Sequence, residues 1–128
     1  MRDFRQLTVW EKSHALVLAV YHASQSFPRE ELYGLTSQIR RAAASIPSNI
    51  AEGCGRNNQT DMAHFCDIAM GSASELEYQL MLARDLGWLK AEQYESLMTQ
   101  VVEVKRMLAG YIQYLRPKHR SSPPLTDS

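Results

Sequence analysis

Tyr94-Glu-Ser-Leu97-Met-Thr-Gln-Val101-Val-Glu-Val104-Lys-Arg-Met-Leu108-Ala-Gly-Tyr111-Ile-Gln-Tyr-Leu115 places apolar residues at alternating steps of three and four. That spacing is one stripe of an α-helix, and an uninterrupted run of it is a seam built to pack on another helix. Pro117 closes the segment. Upstream, Gly87 supplies a left-handed stop for a preceding helix over 61–86, which begins after the turn and cap chemistry of Asn57-Asn58-Gln59-Thr60. Its seam is Cys66, Ala69, Ala73, Leu76, Leu80 and Ala83, small enough in places for a neighbouring helix to come close. Two earlier helices complete the set. One runs over 9–26, with Thr8 and Glu11 spaced as a capping box, Leu16, Val20, Ala23 and Phe27 on one face, and Pro28 at its end. The other follows Thr36 as N-cap and carries Ile39, Ala42, Ala43, Ile46 and Ile50 before fraying near Gly53 and Gly55.

Short connections between long amphipathic helices predict an all-α, antiparallel up-down four-helix bundle over residues 1–116, with a disordered tail over 117–128 rich in proline and serine. The second helix is expected to be proline-kinked. Within Ser45-Ile-Pro-Ser-Asn-Ile-Ala-Glu-Gly-Cys-Gly-Arg56, Pro47 cannot donate to Ala43 and its ring collides with that carbonyl. Ser45, Ser48, Asn49 and Glu52 form a polar row there, read three ways: a binding groove, a solvated face, or side chains that satisfy carbonyls freed by Pro47. If the second and third helices fold back around Asn58, residues whose numbers sum to about 117 share a level. Ser45 then meets Ser72, Pro47 lies near Met70 and Gly71, and Arg40 and Arg41 reach the level of Glu75 and Glu77. Charge agrees: Arg40, Arg41 and Arg56 oppose only Glu52 on the second helix, whereas the third carries Asp61, Asp67, Glu75, Glu77 and Asp85 against Arg84. Complementary helices explain this without a ligand.

The chemistry excluded is broad. Fourteen basic side chains balance 14 acidic ones in the 128 residues, unlike the strongly basic footprint of a dedicated nucleic-acid binder. No apolar run approaches the ~18 residues of a membrane span, and the start lacks a signal-peptide core, so a cytoplasmic protein is expected. Cys54 and Cys66 lack C-x-x-C spacing and read as reduced packing thiols. Glu11 and His14 form a lone E-x-x-H, and Asp61, His64 and Asp67 share a helix face but make an incomplete metal set. Neither a nucleophile elbow nor a phosphate-cradling loop is present. The expectation is a non-enzyme without cofactor or metal. Aromatic surface exceeds what one bundle must bury, with second apolar rows at Met98, Val102 and Ile112 and at Trp10, Val17 and Tyr21, which points to self-association.

Phe4-Arg-Gln-Leu-Thr-Val-Trp10, Leu32-Tyr-Gly-Leu-Thr-Ser-Gln-Ile-Arg-Arg41, Ser45-Ile-Pro-Ser-Asn-Ile-Ala-Glu-Gly53 and Gly71-Ser-Ala-Ser-Glu-Leu-Glu-Tyr-Gln-Leu80 occur together and in order. This set resembles the four-helix-bundle family encoded in intervening sequences of bacterial 23S ribosomal RNA genes. More distantly it is similar to the accessory proteins of diversity-generating retroelements, whose pentameric barrels bind nucleic acid through a basic surface. The resemblance implies a ring-shaped homopentamer with no established enzymatic activity. Any RNA or DNA contact would draw on Arg40, Arg41, Arg56, Lys118 and Arg120 as phosphate ligands. The alternative is a structural or protein-interaction oligomer in which Glu75 and Glu77 consume Arg40 and Arg41, with Ser45, Pro47, Ser48, Asn49, Glu52 and Gly53 as a packing motif.

Overall fold

The computed structural model describes residues 3–117. Helices α1 (Thr8–Ser24), α2 (Leu35–Cys54), α3 (Gln59–Asp85) and α4 (Ala91–Leu115) each pack on two neighbours, α1 on α2 and α4, and α3 on α2 and α4. This is the expected four-helix bundle. The proposed tail beyond Pro117, with Lys118 and Arg120, lies outside the described residues.

Local chemistry sets the helix ends. Asn58 caps α3, its side-chain oxygen accepting from the Asp61 backbone N–H at 2.7 Å. At the other end Gly87 adopts φ +83°, while Trp88 N–H donates to the Ala83 carbonyl and Gly87 N–H to that of Arg84, each at 2.9 Å. That pair of bonds is a Schellman motif, and glycine enters its left-handed position without a Cβ penalty. Two expected caps are corrected. Thr8 lies inside α1 and makes no capping bond. Thr36 lies in the first turn of α2, where the Glu31 carboxylate accepts from the Leu35 N–H at 3.0 Å in its place. A carboxylate four residues upstream serves the same orphan donors as a cap hydroxyl and adds a favourable charge at the helix start.

The core follows the sequence stripes closely. Leu16, Val20, Ile39, Ile46, Ile50, Leu76, Leu80, Val101, Val104 and Leu108 are all fully buried, as are the small residues Ala43, Ala63, Cys66, Ala69, Ala73 and Ala83. Tyr111 alone of the α4 seam is only partly buried, because it stands at the rim of the bundle end.

Helices α2 and α3 make the most extensive contact, and small residues are the reason. Gly53 sits so close to α3 that a Cβ there would lie 2.7 Å from Met62 Sδ, 3.2 Å from Phe65 Cβ and 3.3 Å from Met62 Cα. Gly71, in contrast, faces open space. The close approach expected opposite Pro47 at Gly71 is thus made at Gly53, with the buried Ala69 and Ala73 lining the middle of the contact. The register is as expected at its centre: the Ser45 and Ser72 hydroxyls lie 2.8 Å apart.

Pro47 is buried, and α2 continues through it as one helix from Leu35 to Cys54. Beside it, the Asn49 amide donates to the Ser45 carbonyl at 2.8 Å and to the Ser45 hydroxyl at 3.0 Å. Asn49 therefore does bond the backbone near the proline, but at Ser45 and not at Ala43. Ser48 and Glu52 are solvent-exposed. The polar row divides into an inward pair that ties α2 to α3 and an outward pair in water.

The two glycines give opposite expectations. Gly53→Ala should lower stability by about 1–2 kcal/mol, since overpacking outweighs the gain in helix propensity. Gly71→Ala, with nothing near its new methyl, should raise stability by about 0.5–1 kcal/mol. Urea denaturation followed by circular dichroism reads both, with similar slopes expected for the two variants.

Candidate functional site

At the end of the bundle where α2 turns into α3, the last turn of α4 stands opposite the connection and encloses an open cleft of about 220 Å³. Gly53, Cys54, Met62 and Leu115 supply its buried apolar lining, and Arg56, Asn57, Asn58, Gln59, Tyr111 and Tyr114 its rim. The chain reaches this arrangement through simple local preferences. Gly55 ends α2 in right-handed backbone with its N–H shared between the Ala51 and Glu52 carbonyls, the two asparagines make the turn, and Asn58 starts α3. Tyr114 is 62% exposed, and its ring stacks near-parallel on Tyr111 with centroids 6.1 Å apart.

Arg56 lies over the Phe65 ring at 5.0 Å and pairs with Glu52 at 3.0 Å one helical turn earlier. Both charged groups are about half exposed, and such a surface pair is worth no more than about 1 kcal/mol, so another anion can displace Glu52. Asn57 and Gln59 make no side-chain hydrogen bond among the described residues, and Asn58 is engaged by Asp61. The rim thus offers a cation, uncommitted amides and an aromatic face around an apolar floor. Arg116 closes the same end by a two-pronged pair with Asp67, at 2.8 and 3.3 Å, which fixes the last turn of α4 against α3.

The other sequence-predicted arginines do not join this cleft. Arg40 points at α1: its Nε donates to Ser24 Oγ at 2.8 Å, its Nη2 to the Tyr21 carbonyl at 3.3 Å, and its guanidinium covers the Tyr21 ring at 4.7 Å. Glu77 is taken by Lys105 of α4 at 2.8 Å. Arg41 bonds Ser37 and shares a shallow groove with Gln38, Ser45, Ser72 and Glu75, while Glu75 accepts weakly from Gln79. No ion pair among the described residues links Arg40 or Arg41 to Glu75 or Glu77, which corrects the expected pairing. The reason is angular. At about 100° per residue, Arg41 lies ~40° from Ser45 around the helix but Arg40 lies ~140° away, so shared height does not give a shared face.

The candidate metal residues are dispersed as well. His14 stacks on Trp10, Asp67 is held by Arg116, and Asp61 faces Asn58. Among the described residues no three His, Cys, Asp or Glu side chains gather as a metal set, and no helix is long and apolar enough to cross a membrane. Sequence reasoning missed the cleft itself. Its amides read as a turn, Tyr111 reads as a seam residue of α4 and Tyr114 carries no role in the sequence pattern, and what joins them is that a bundle brings the end of α4 beside the α2 to α3 connection.

The fold and cleft define a compact helical module whose recognisable polar features sit at its ends. Residues 5–110 match the family described as 23S rRNA-intervening sequence protein, and the chain belongs to that family. A solved relative is the crystal structure of a protein with unknown function from the S23 ribosomal protein family of Bacteroides thetaiotaomicron VPI-5482. It is 27% identical, with a TM-score of 0.76 over 82% of this chain and 95% of that one. No curated protein matches the chain.

Cys54, in the cleft lining, and Cys66 are both buried and form no disulfide. Burial, then the neighbouring Cys54 and Asp67, pushes the Cys66 thiol from 9.0 up to about 12. Folded Cys66 keeps its proton where the unfolded chain loses it, so stability is complete below pH 9 and is lost progressively as pH rises toward 12. In Cys66→Ala the decline of stability with pH above 9 should be shallower by up to about 1.4 kcal/mol per pH unit, read from urea midpoints across the alkaline range. Equal pH slopes in both proteins would remove this thiol as the cause.

Proposed function

We propose that the protein is a non-catalytic, oligomeric helical-bundle module that binds single-stranded RNA at the cleft between the α2 to α3 connection and the end of α4. The observation that carries this reading is the joint presence of Arg56, Asn57, Gln59 and the exposed Tyr114 ring around one concavity. A base stacks on an aromatic face whatever its identity, amides meet base edges, and a guanidinium meets phosphate. The chain's balanced charge fits a short, local contact better than an extended phosphate-tracking groove. Family membership supports the link to a ribosomal RNA context.

Assembly supports the same reading. Tyr78, Met81, Leu86 and Val102 are exposed on the outer side of α3 and α4 and its ends, and a second copy covering them would repeat the cleft around a ring. A homopentamer is the proposed state, and a cytoplasmic location the proposed setting. The same exposed residues favour the second reading, a purely protein-interaction oligomer without RNA binding.

Fluorescence anisotropy with labelled single-stranded RNA of mixed sequence separates the two. Tyr114→Ala is expected to weaken binding by roughly 5- to 100-fold, the value of one stacked base. Arg56→Glu is expected to weaken it and to flatten its salt dependence. Wild-type affinity in both variants would remove the cleft as the RNA site. Sedimentation of the protein alone reports the oligomer independently.

A further inference from the structure

The thiols of Cys54 and Cys66 flank the tightest point of the α2 to α3 contact. A Cβ on Gly53 would lie 3.3 Å from Met62 Cα and 3.2 Å from Phe65 Cβ, so the two backbones nearly touch there. Cys54 follows Gly53 along the chain, and Cys66 follows Phe65. Each side chain therefore leaves its helix about 100° round from that contact. Both turn toward α4. Cys54 lines the cleft with Tyr111 and Leu115, and Cys66 lies beside Asp67 and Arg116, with Cys54 the neighbour whose charge bears most on it. Helices packed this closely bring facing residues within the span of a disulfide, whose Cα atoms lie ~4.4–6.8 Å apart.

The two thiols have different surroundings. Cys54 is 5% exposed and borders an open cleft of about 220 Å³, which admits a molecule the size of hydrogen peroxide. Cys66 is fully enclosed, and burial followed by the nearby Cys54 and Asp67 keeps its thiol protonated. An oxidant in the cleft meets Cys54 first, since access decides which thiol reacts. The oxidised sulfur is then presented to Cys66.

We infer that Cys54 and Cys66 form a redox-responsive pair, in which Cys54 takes an oxygen atom from a hydroperoxide and Cys66 resolves it to a disulfide between α2 and α3. In the first step Cys54, as thiolate, attacks one oxygen of hydrogen peroxide and the O–O bond breaks. The products are Cys54 sulfenic acid and hydroxide, which the proton released by Cys54 converts to water. In the second step the Cys66 sulfur attacks the sulfenic sulfur, the S–S bond forms as the S–O bond breaks, and the departing hydroxide leaves with the Cys66 proton as a second water. Two thiols lose two electrons and one peroxide gains them. The crosslink closes the chain over residues 54–66, around the turn that carries Arg56, Asn57 and Gln59, and draws the Cys54 sulfur out of the cleft lining toward α3. Neither step depends on the RNA reading.

Hydrogen peroxide treatment of the full chain tests the pair, read by tryptic peptide mapping, because trypsin cuts between the two cysteines at Arg56. The Cys54 and Cys66 peptides should be joined within one chain with the loss of two hydrogens. The thermal midpoint should rise by roughly 10 °C on oxidation and return when a reductant is added. In Cys66→Ala the reaction should halt at the Cys54 sulfenic acid, which dimedone captures, and in Cys54→Ala the Cys66 thiol should survive the same exposure. Oxygen added to Cys54 while Cys66 remains a thiol in the wild-type protein overturns the inference. So does equal dimedone capture in the wild type and Cys66→Ala, or a disulfide that joins two chains in place of one.

Discussion

The packing of α2 on α3 is the constraint from which the rest of the molecule follows. Gly53 meets Met62 and Phe65 at distances that admit no side chain, and Ala43, Ala69 and Ala73 keep the middle of the contact thin. Dispersion contacts are individually small and depend steeply on separation, so a hairpin that closes this far gains along its whole length. The Ser45 and Ser72 hydroxyls pin its register, and Asn49 ties the same point to the α2 backbone. With that pair closed, α1 and α4 have fixed surfaces to cover, and the larger residues Leu16, Val20, Val101 and Leu108 fill the remaining interior.

A tightly closed interior moves the accessible chemistry to the ends. The sides of the helices bury their stripes, whereas the ends carry turns, caps and unpaired backbone that favour asparagine, glutamine, arginine and hydroxyl residues. One end gathers Arg56, three amides and the tyrosine pair. The other gathers Arg29 and Arg40. Pro47 stands between these regions inside the buried part of α2, which makes its stretch a packing segment, with Ser48, Glu52, Gly55 and Arg56 turned to water.

Most of the fold was legible because burial stripes are periodic. The seams of α3 and α4 read off at steps of three and four, and all their members but Tyr111 are buried. Gly87 announced its own role, since a left-handed stop is a property of a residue and its immediate neighbours. The start of α3 was legible only as one of the cap-forming residues Asn57 to Thr60, and Asn58 begins it two residues before the expected Asp61. Thr8 and Thr36 misled for the complementary reason: a good cap hydroxyl was present in each case, but α1 begins one residue earlier and Glu31 took the start of α2.

The sequence alone determined helix number, helix faces, the α2 to α3 register and the family, all of which rest on spacing along one chain or on ordered motifs. Tertiary structure decided which partners the charges found. Arg40 and Glu77 share a height but not a face, and they turn to α1 and α4 respectively. Tyr114 and Arg56 are 58 positions apart and become neighbours only when the bundle brings two ends together. Periodicity fixes how far along an axis a residue lies and which way it points from its own helix. What it meets there depends on how the other helices are arranged around that axis.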